Sequence, residues 1–124
     1  MTKGKKLLLV EDDVSLRDMY VTRFSVEDFE LEVATDGEAG LQKATEWQPD
    51  VMLLDLRIPK LSGFEVLRKL KQQKETKDIP VIVLTALSGD ADRKQAMDLG
   101  AAGFLTKSET VPKEVLAQVL KVLK

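Results

Sequence analysis

Short, wholly apolar runs constrain this fold more than any other feature of the sequence. Leu7–Val10, Val51–Leu54 and Ile79–Leu84 contain no polar residue. Such runs read as strands covered on both faces, because a half-exposed strand alternates apolar and polar positions. Two of the runs stop at acids: Glu11 and Asp12 follow the first, and Asp55 follows the second. Each acid then stands where its strand leaves the core. Parallel strands of an α/β sheet present their C-terminal ends together, and ligands bind there.

Helical spacing fills the intervals. The first strand is predicted over Lys5–Val10. Asp13 is placed to cap a helix whose Leu16, Met19, Tyr20 and Phe24 share one face. Phe29–Thr35 alternates and reads as an edge strand. Asp36, Gly37 and Glu38 open a second helix that runs to Trp47, and Pro49-Asp50 ends it. Pro59 and Ser62-Gly63 lie in a loop before a helix over Phe64–Gln73, with Val66, Leu67 and Leu70 inward. Asp90–Leu99 is helical, with Gly100 at its C′ position. Ala102–Leu105 forms a short last strand, and Val111–Leu123 the last helix, whose core stripe is Leu116, Val119, Leu120 and Leu123. Val111, Val115 and Val122 lie beside that stripe, as a wider core face or as a surface for a partner.

With no repeat, low-complexity tract or linker, residues 1–124 read as one domain. Five β/α units with short connections imply a three-layer, doubly wound α/β fold. Its five-stranded parallel sheet takes the flavodoxin-like order 2-1-3-4-5. Strands one and three are then neighbours at the switch point, where Asp55 meets Glu11 and Asp12. Trp47, just before the third strand, belongs at the opposite end of the sheet.

Composition removes several kinds of chemistry. The chain has no cysteine and no histidine, so thiolate catalysis, a Ser-His-Asp triad and a histidine metal site are excluded. It cannot itself be a phosphohistidine donor. A net charge of −2 gives no general attraction to nucleic acid or an anionic membrane. No apolar stretch is long enough to span a bilayer, and Met1–Lys6 makes a poor signal peptide, so a cytoplasmic location is expected.

Three carboxylates in one crevice repel unless a proton or cation stands among them. An all-oxygen donor set suits Mg²⁺. Thr85 ends the fourth strand and Lys107 follows the fifth, so both join the same rim. Taken singly, Lys107 is a surface lysine and Thr85 a loop cap; in register with three acids they suit phosphoryl transfer to a carboxylate. Asp55 is the nucleophile and becomes an aspartyl phosphate. Mg²⁺ neutralises the acids and the phosphoryl oxygens, Lys107 pairs with another oxygen, and the Thr85 hydroxyl hydrogen-bonds the phosphate. Ala86 is small and leaves room for the incoming group.

These residues lie in five segments: Leu8–Asp13, Pro49–Pro59, Ser62–Leu67, Val83–Ala86 and Gly100–Lys107. In that order they closely resemble the receiver domain of two-component response regulators, the CheY-like family. The resemblance implies that Asp55 is the phosphoacceptor and that Asp12 is a direct metal ligand. It makes Glu11 the neighbouring acid that acts through water, and Arg57 the residue whose backbone carbonyl ligates Mg²⁺. Thr85 and Lys107 match the phosphate-contacting residues, and Phe104 the aromatic switch that turns inward when Thr85 follows the phosphate. The expected donor is a histidine kinase or histidine phosphotransfer protein. The expected output is a downstream protein effector or a homodimer, through helix 4, strand 5 and helix 5. Direct contact with nucleic acid or membrane is not expected. The domain is a phosphorylatable switch that assists its own phosphorylation and slow dephosphorylation rather than an enzyme.

Three positions depart from the family pattern. Ser108 replaces the usual proline after the lysine. A cis bond there costs roughly 2.5–4 kcal/mol without proline, which favours a trans bond with a shifted loop. Arg57 replaces a common methionine, and its side chain can lie across the site mouth against an acid. Leu61 stands where an acid is common.

Two other classes compete. A haloacid dehalogenase-type phosphatase needs a second aspartate two residues after the nucleophile, where this chain has Arg57. A non-phosphorylated pseudo-receiver would keep the fold as an interaction module, but such modules usually lose an acid, the lysine or the threonine. Nothing resembling a DNA-binding domain lies within these residues, which are expected to be either a stand-alone receiver or part of a longer regulator.

Overall fold

A computed structural model describes residues 3–87, 89–108 and 110–123. The strands are β1 (Lys6–Val10), β2 (Glu30–Ala34), β3 (Val51–Leu54), β4 (Val81–Thr85) and β5 (Gly103–Thr106). The helices are α1 (Val14–Ser25), α2 (Gly37–Trp47), α3 (Gly63–Gln72), α4 (Asp90–Asp98) and α5 (Pro112–Val122). The strands form one parallel sheet in the order β2-β1-β3-β4-β5, as the alternation of elements predicts.

The apolar runs are apolar throughout because both of their faces are covered. Leu7, Leu9, Val51, Leu53, Ile82 and Leu84 pack with Tyr20 and Phe24 of α1 and Val115, Leu116 and Val119 of α5. Leu8, Val10, Met52, Leu54, Val81 and Val83 face the other way, toward Ala44 of α2, Val66, Leu67 and Leu70 of α3, and Ala96 of α4. β2 is an edge strand of mostly half-exposed residues.

Helix starts follow local chemistry. Asp13, Asp36 and Ser62 each accept a hydrogen bond from the third residue on, capping α1, α2 and α3. Gly100 follows α4 with φ +101°, the left-handed conformation glycine adopts without strain.

Two helical faces differ from the expectation. Met19 is 40% exposed, because the buried stripe of α1 runs through Tyr20 and Phe24 and leaves Met19 a hundred degrees away. On α5, Val115 is fully buried and belongs to the core, whereas Val111 is exposed and Leu120, Val122 and Leu123 are half-buried. Trp47 sits as predicted: its carbonyl accepts from Lys6 Nζ, at the start of β1, and the ammonium lies 5.5 Å from its ring centroid.

Candidate functional site

Register brings the acids to one height. Val10 pairs with Leu54 across β1 and β3, so the next residues, Glu11 and Asp55, leave the sheet side by side. The Asp55 amide still donates to the Val10 carbonyl at 3.2 Å, and the Glu11 amide to Ala34 at 3.0 Å. Glu11, Asp12 and Asp55 each offer one oxygen, and these oxygens lie within 4.8 Å of one another. Glu11 and Asp55 are buried, and Asp12 is exposed.

The far side of the sheet is joined to this cluster through β4 and β5. Thr85 pairs with Thr106, and the Lys107 amide continues the ladder by donating to the Thr85 carbonyl at 2.8 Å. Lys107 Nζ then reaches back over the strand ends. It lies 2.8 Å from Asp55 Oδ2 and 2.7 Å from Glu11 Oε1. The described residues contain no cis peptide, so the Lys107–Ser108 bond is trans, and the lysine still spans the crevice.

The second carboxylate oxygens of Asp55 and Glu11 each have a backbone partner. Asp55 Oδ1 accepts from the Arg57 amide at 3.1 Å, and Glu11 Oε2 from the Asp13 amide at 3.1 Å. Burial pushes the Glu11 carboxyl above its ordinary value, despite the opposing hydrogen bonds from Lys107 and Asp13. Burial alone would weaken the Lys107 ammonium, but its bonds and charge pairing with Asp55 and Glu11 outweigh that and hold it above the usual lysine value. Three carboxylates against one ammonium leave two net negative charges. That surplus, on hard oxygen donors, fits one divalent cation of the Mg²⁺ type.

The other expected residues are less uniform. Thr85 is fully buried, and its hydroxyl accepts from the Leu87 amide at 3.3 Å. The Arg57 backbone reaches the site through its amide, but the side chain is exposed and forms no salt bridge among the described residues. It therefore does not close the mouth against an acid. Phe104 is already inside, 5% exposed, with the Arg93 guanidinium over its ring.

Sequence reasoning missed the role of Gly63. A Cβ there would stand 2.5 Å from the Asp55 carbonyl oxygen and 2.5 Å from Leu56 Cα. The Gly63 amide donates to Leu56 at 3.0 Å, so α3 starts pressed against the backbone of Asp55 and Leu56. A Ser-Gly pair, its glycine eight residues after an acid at a strand end, was the available signal.

A five-stranded 2-1-3-4-5 sheet with three acids and a lysine at its switch point defines a receiver-type domain. The family model of the response regulator receiver domain matches residues 7–120, and the chain belongs to that family. It is 37% identical over 119 residues to the DNA-binding dual master transcriptional regulator RpaA of Synechocystis, covering 96% of this chain and 49% of that protein. The chain spans about half the length of the first curated relatives it matches. Among solved structures, Vibrio cholerae chemotaxis protein CheY4 superposes with a TM-score of 0.88 at 30% identity, over 97% of this chain and 99% of that one. The BeF3-activated receiver domain of Klebsiella pneumoniae RstA gives 0.89 at 26% identity, over 97% and 99%.

Proposed function

We propose that this domain is a phosphorylation-dependent switch whose phosphoacceptor is Asp55. The observation that carries the reading is the placement of Lys107 Nζ between Asp55 and Glu11, with Asp12 beside them. Asp55, Asp12, Glu11 and the backbone carbonyl of Arg57 would hold Mg²⁺. When bound, the ion supplies the positive charge that the acids and the incoming phosphoryl oxygens lack.

An Asp55 carboxylate oxygen attacks phosphorus, the phosphorus–nitrogen bond of a phosphohistidine donor breaks, and the donor imidazole keeps the bonding pair. The Arg57 amide fixes Asp55 Oδ1 for this step. Lys107 transfers its hydrogen bonds to a phosphoryl oxygen. The Thr85 hydroxyl leaves the Leu87 amide and donates to another. The chain aids its own phosphorylation and slow hydrolysis by this arrangement and is not a turnover enzyme. The changed face is α4, β5 and α5, which meets a downstream protein or a second copy.

The donor is a histidine kinase or a phosphotransfer protein in the cytoplasm. No helix among the described residues is long and apolar enough to cross a membrane. RpaA is named as DNA-binding; with this chain matching half of it, contact with DNA is proposed for segments outside the receiver rather than for this domain. The BeF3-activated neighbour supports a site that takes a tetrahedral phosphoryl-like group.

Incubation with acetyl phosphate and Mg²⁺, followed by intact mass, tests the reading. One added phosphoryl group, absent in Asp55→Asn, is the expected result. A wild-type protein that stays unmodified yet binds a partner would instead make it a pseudo-receiver.

A further inference from the structure

α4 is the most lightly anchored helix of the five. Of its residues only Ala96 is buried, and Gly89 at its N-cap gives no side-chain bond to its first amides. By contrast, α1, α2 and α3 each have a side-chain cap and at least two buried residues. A helix with so little buried surface depends on ties to its neighbours. The Leu87 amide, in the connection leading into α4, donates to Thr85 Oγ1. Further along, the Arg93 guanidinium carbon lies 4.9 Å from the centroid of the buried Phe104 ring on β5. Among the described residues Arg93 forms no salt bridge, so no carboxylate draws it from the ring. A guanidinium over an aromatic face is attracted by the ring quadrupole, here between an exposed Arg93 and a buried ring.

We propose that Arg93 is a positioning residue: stacked on Phe104, it latches the ring in its buried place and α4 against β5 before phosphorylation. The proposal rests on the switch reading above, which makes this face the output. The aromatic is then set in advance, and the Thr85–Leu87 bond is the tie that phosphorylation breaks. Once Thr85 turns to the phosphate, the Leu87 amide loses its acceptor, and the Arg93–Phe104 contact keeps α4 in register on β5. Removing the cation therefore loosens the output face without touching the acids, Thr85 or Lys107.

The test uses the whole chain carrying fluorophenylalanine, with the Phe104 ¹⁹F signal assigned through Phe104→Leu. In unphosphorylated Arg93→Gln the Phe104 signal moves, and amides 90–98 exchange about two- to fivefold faster. Arg93→Lys, which keeps a cation, stays near wild type. An unmoved signal and unchanged exchange in Arg93→Gln would overturn the latch, as would Arg93→Lys behaving like Arg93→Gln. Intact mass after acetyl phosphate separates the two ideas. Normal uptake with an unmoved ring rejects the latch alone. A wild-type protein that takes up no phosphate, with the ring displaced in Arg93→Gln, rejects the switch and leaves the latch standing.

Discussion

The ammonium of Lys107 stands 2.7 Å from Glu11 Oε1, in a pair that solvent barely reaches. The cation assigned to the phosphoryl oxygen is thus already engaged in the resting domain. Lys107 can leave without stranding a buried carboxylate only when another cation stands beside Glu11. On the proposed function, metal loading and phosphorylation are expected to be coupled in this way through one lysine.

Lys107→Met tests that coupling through pH. In wild type the raised lysine value means its stabilisation is complete below the ordinary lysine value of 10.5 and is lost as pH rises through the folded value. The variant lacks that alkaline loss and is less stable near neutrality by about 3 kcal/mol. Glu11 also loses the partner that opposed its burial. Its already raised carboxyl goes higher, so the variant gains stability as pH falls through that raised value toward the ordinary 4.5. Urea denaturation in a chelator, with wild type alongside, checks both slopes.

Asp12 is exposed, so Asp12→Asn should fold normally. Its effect is on metal. At Mg²⁺ tenfold above the dissociation constant, wild type gains roughly 1.4 kcal/mol. For a domain of this size that is about 5 °C in melting temperature. Asp12→Asn should show little of this shift in a thermal melt, while melting near wild type in a chelator.

Gly63→Ala and Gly103→Ala should act in opposite directions. At Gly63 the added methyl meets backbone atoms of Asp55 and Leu56 that cannot turn aside, which costs roughly 2 kcal/mol and displaces Asp55, the proposed phosphoacceptor. At Gly103 the nearest atoms, in Gln118 and Ile82, lie 3.7 Å away, an ordinary contact. There alanine stabilises the strand by about 0.5 kcal/mol. Chemical denaturation measures both, and acetyl phosphate uptake should fall only in Gly63→Ala.

Trp47 precedes β3, away from the strand ends that carry the acids. Its fluorescence should change little on adding Mg²⁺. Strong quenching that follows metal saturation would contradict the placement of the metal at the other end of the sheet.

The acids were legible in the sequence because each closes an all-apolar run, and parallel strands bring such ends together. The strand order followed from the alternation of elements with short connections. Thr85 and Lys107 became legible once those strands were ordered, since each comes at the end of its own. What the sequence left hidden depends on side-chain paths across elements. The inward Phe104 and the guanidinium above it depend on how a weakly packed helix lies on β5, and the exposed Arg57 side chain on the path of the connection after β3. Met19 was misread because a four-residue apolar spacing admits two adjacent faces, and only the neighbouring α5 and sheet select one.

On the proposed function, a phosphoryl group enters this crevice at one carboxylate and needs a divalent ion to do so. The most direct measurement treats the protein with acetyl phosphate in Mg²⁺ or in chelator, reduces the acyl phosphate with borohydride, and maps the modified peptide. Modification is expected at Asp55 alone, with Mg²⁺ and not without it. Modification at Glu11, Asp12 or another carboxylate, or equal labelling in chelator, would contradict it.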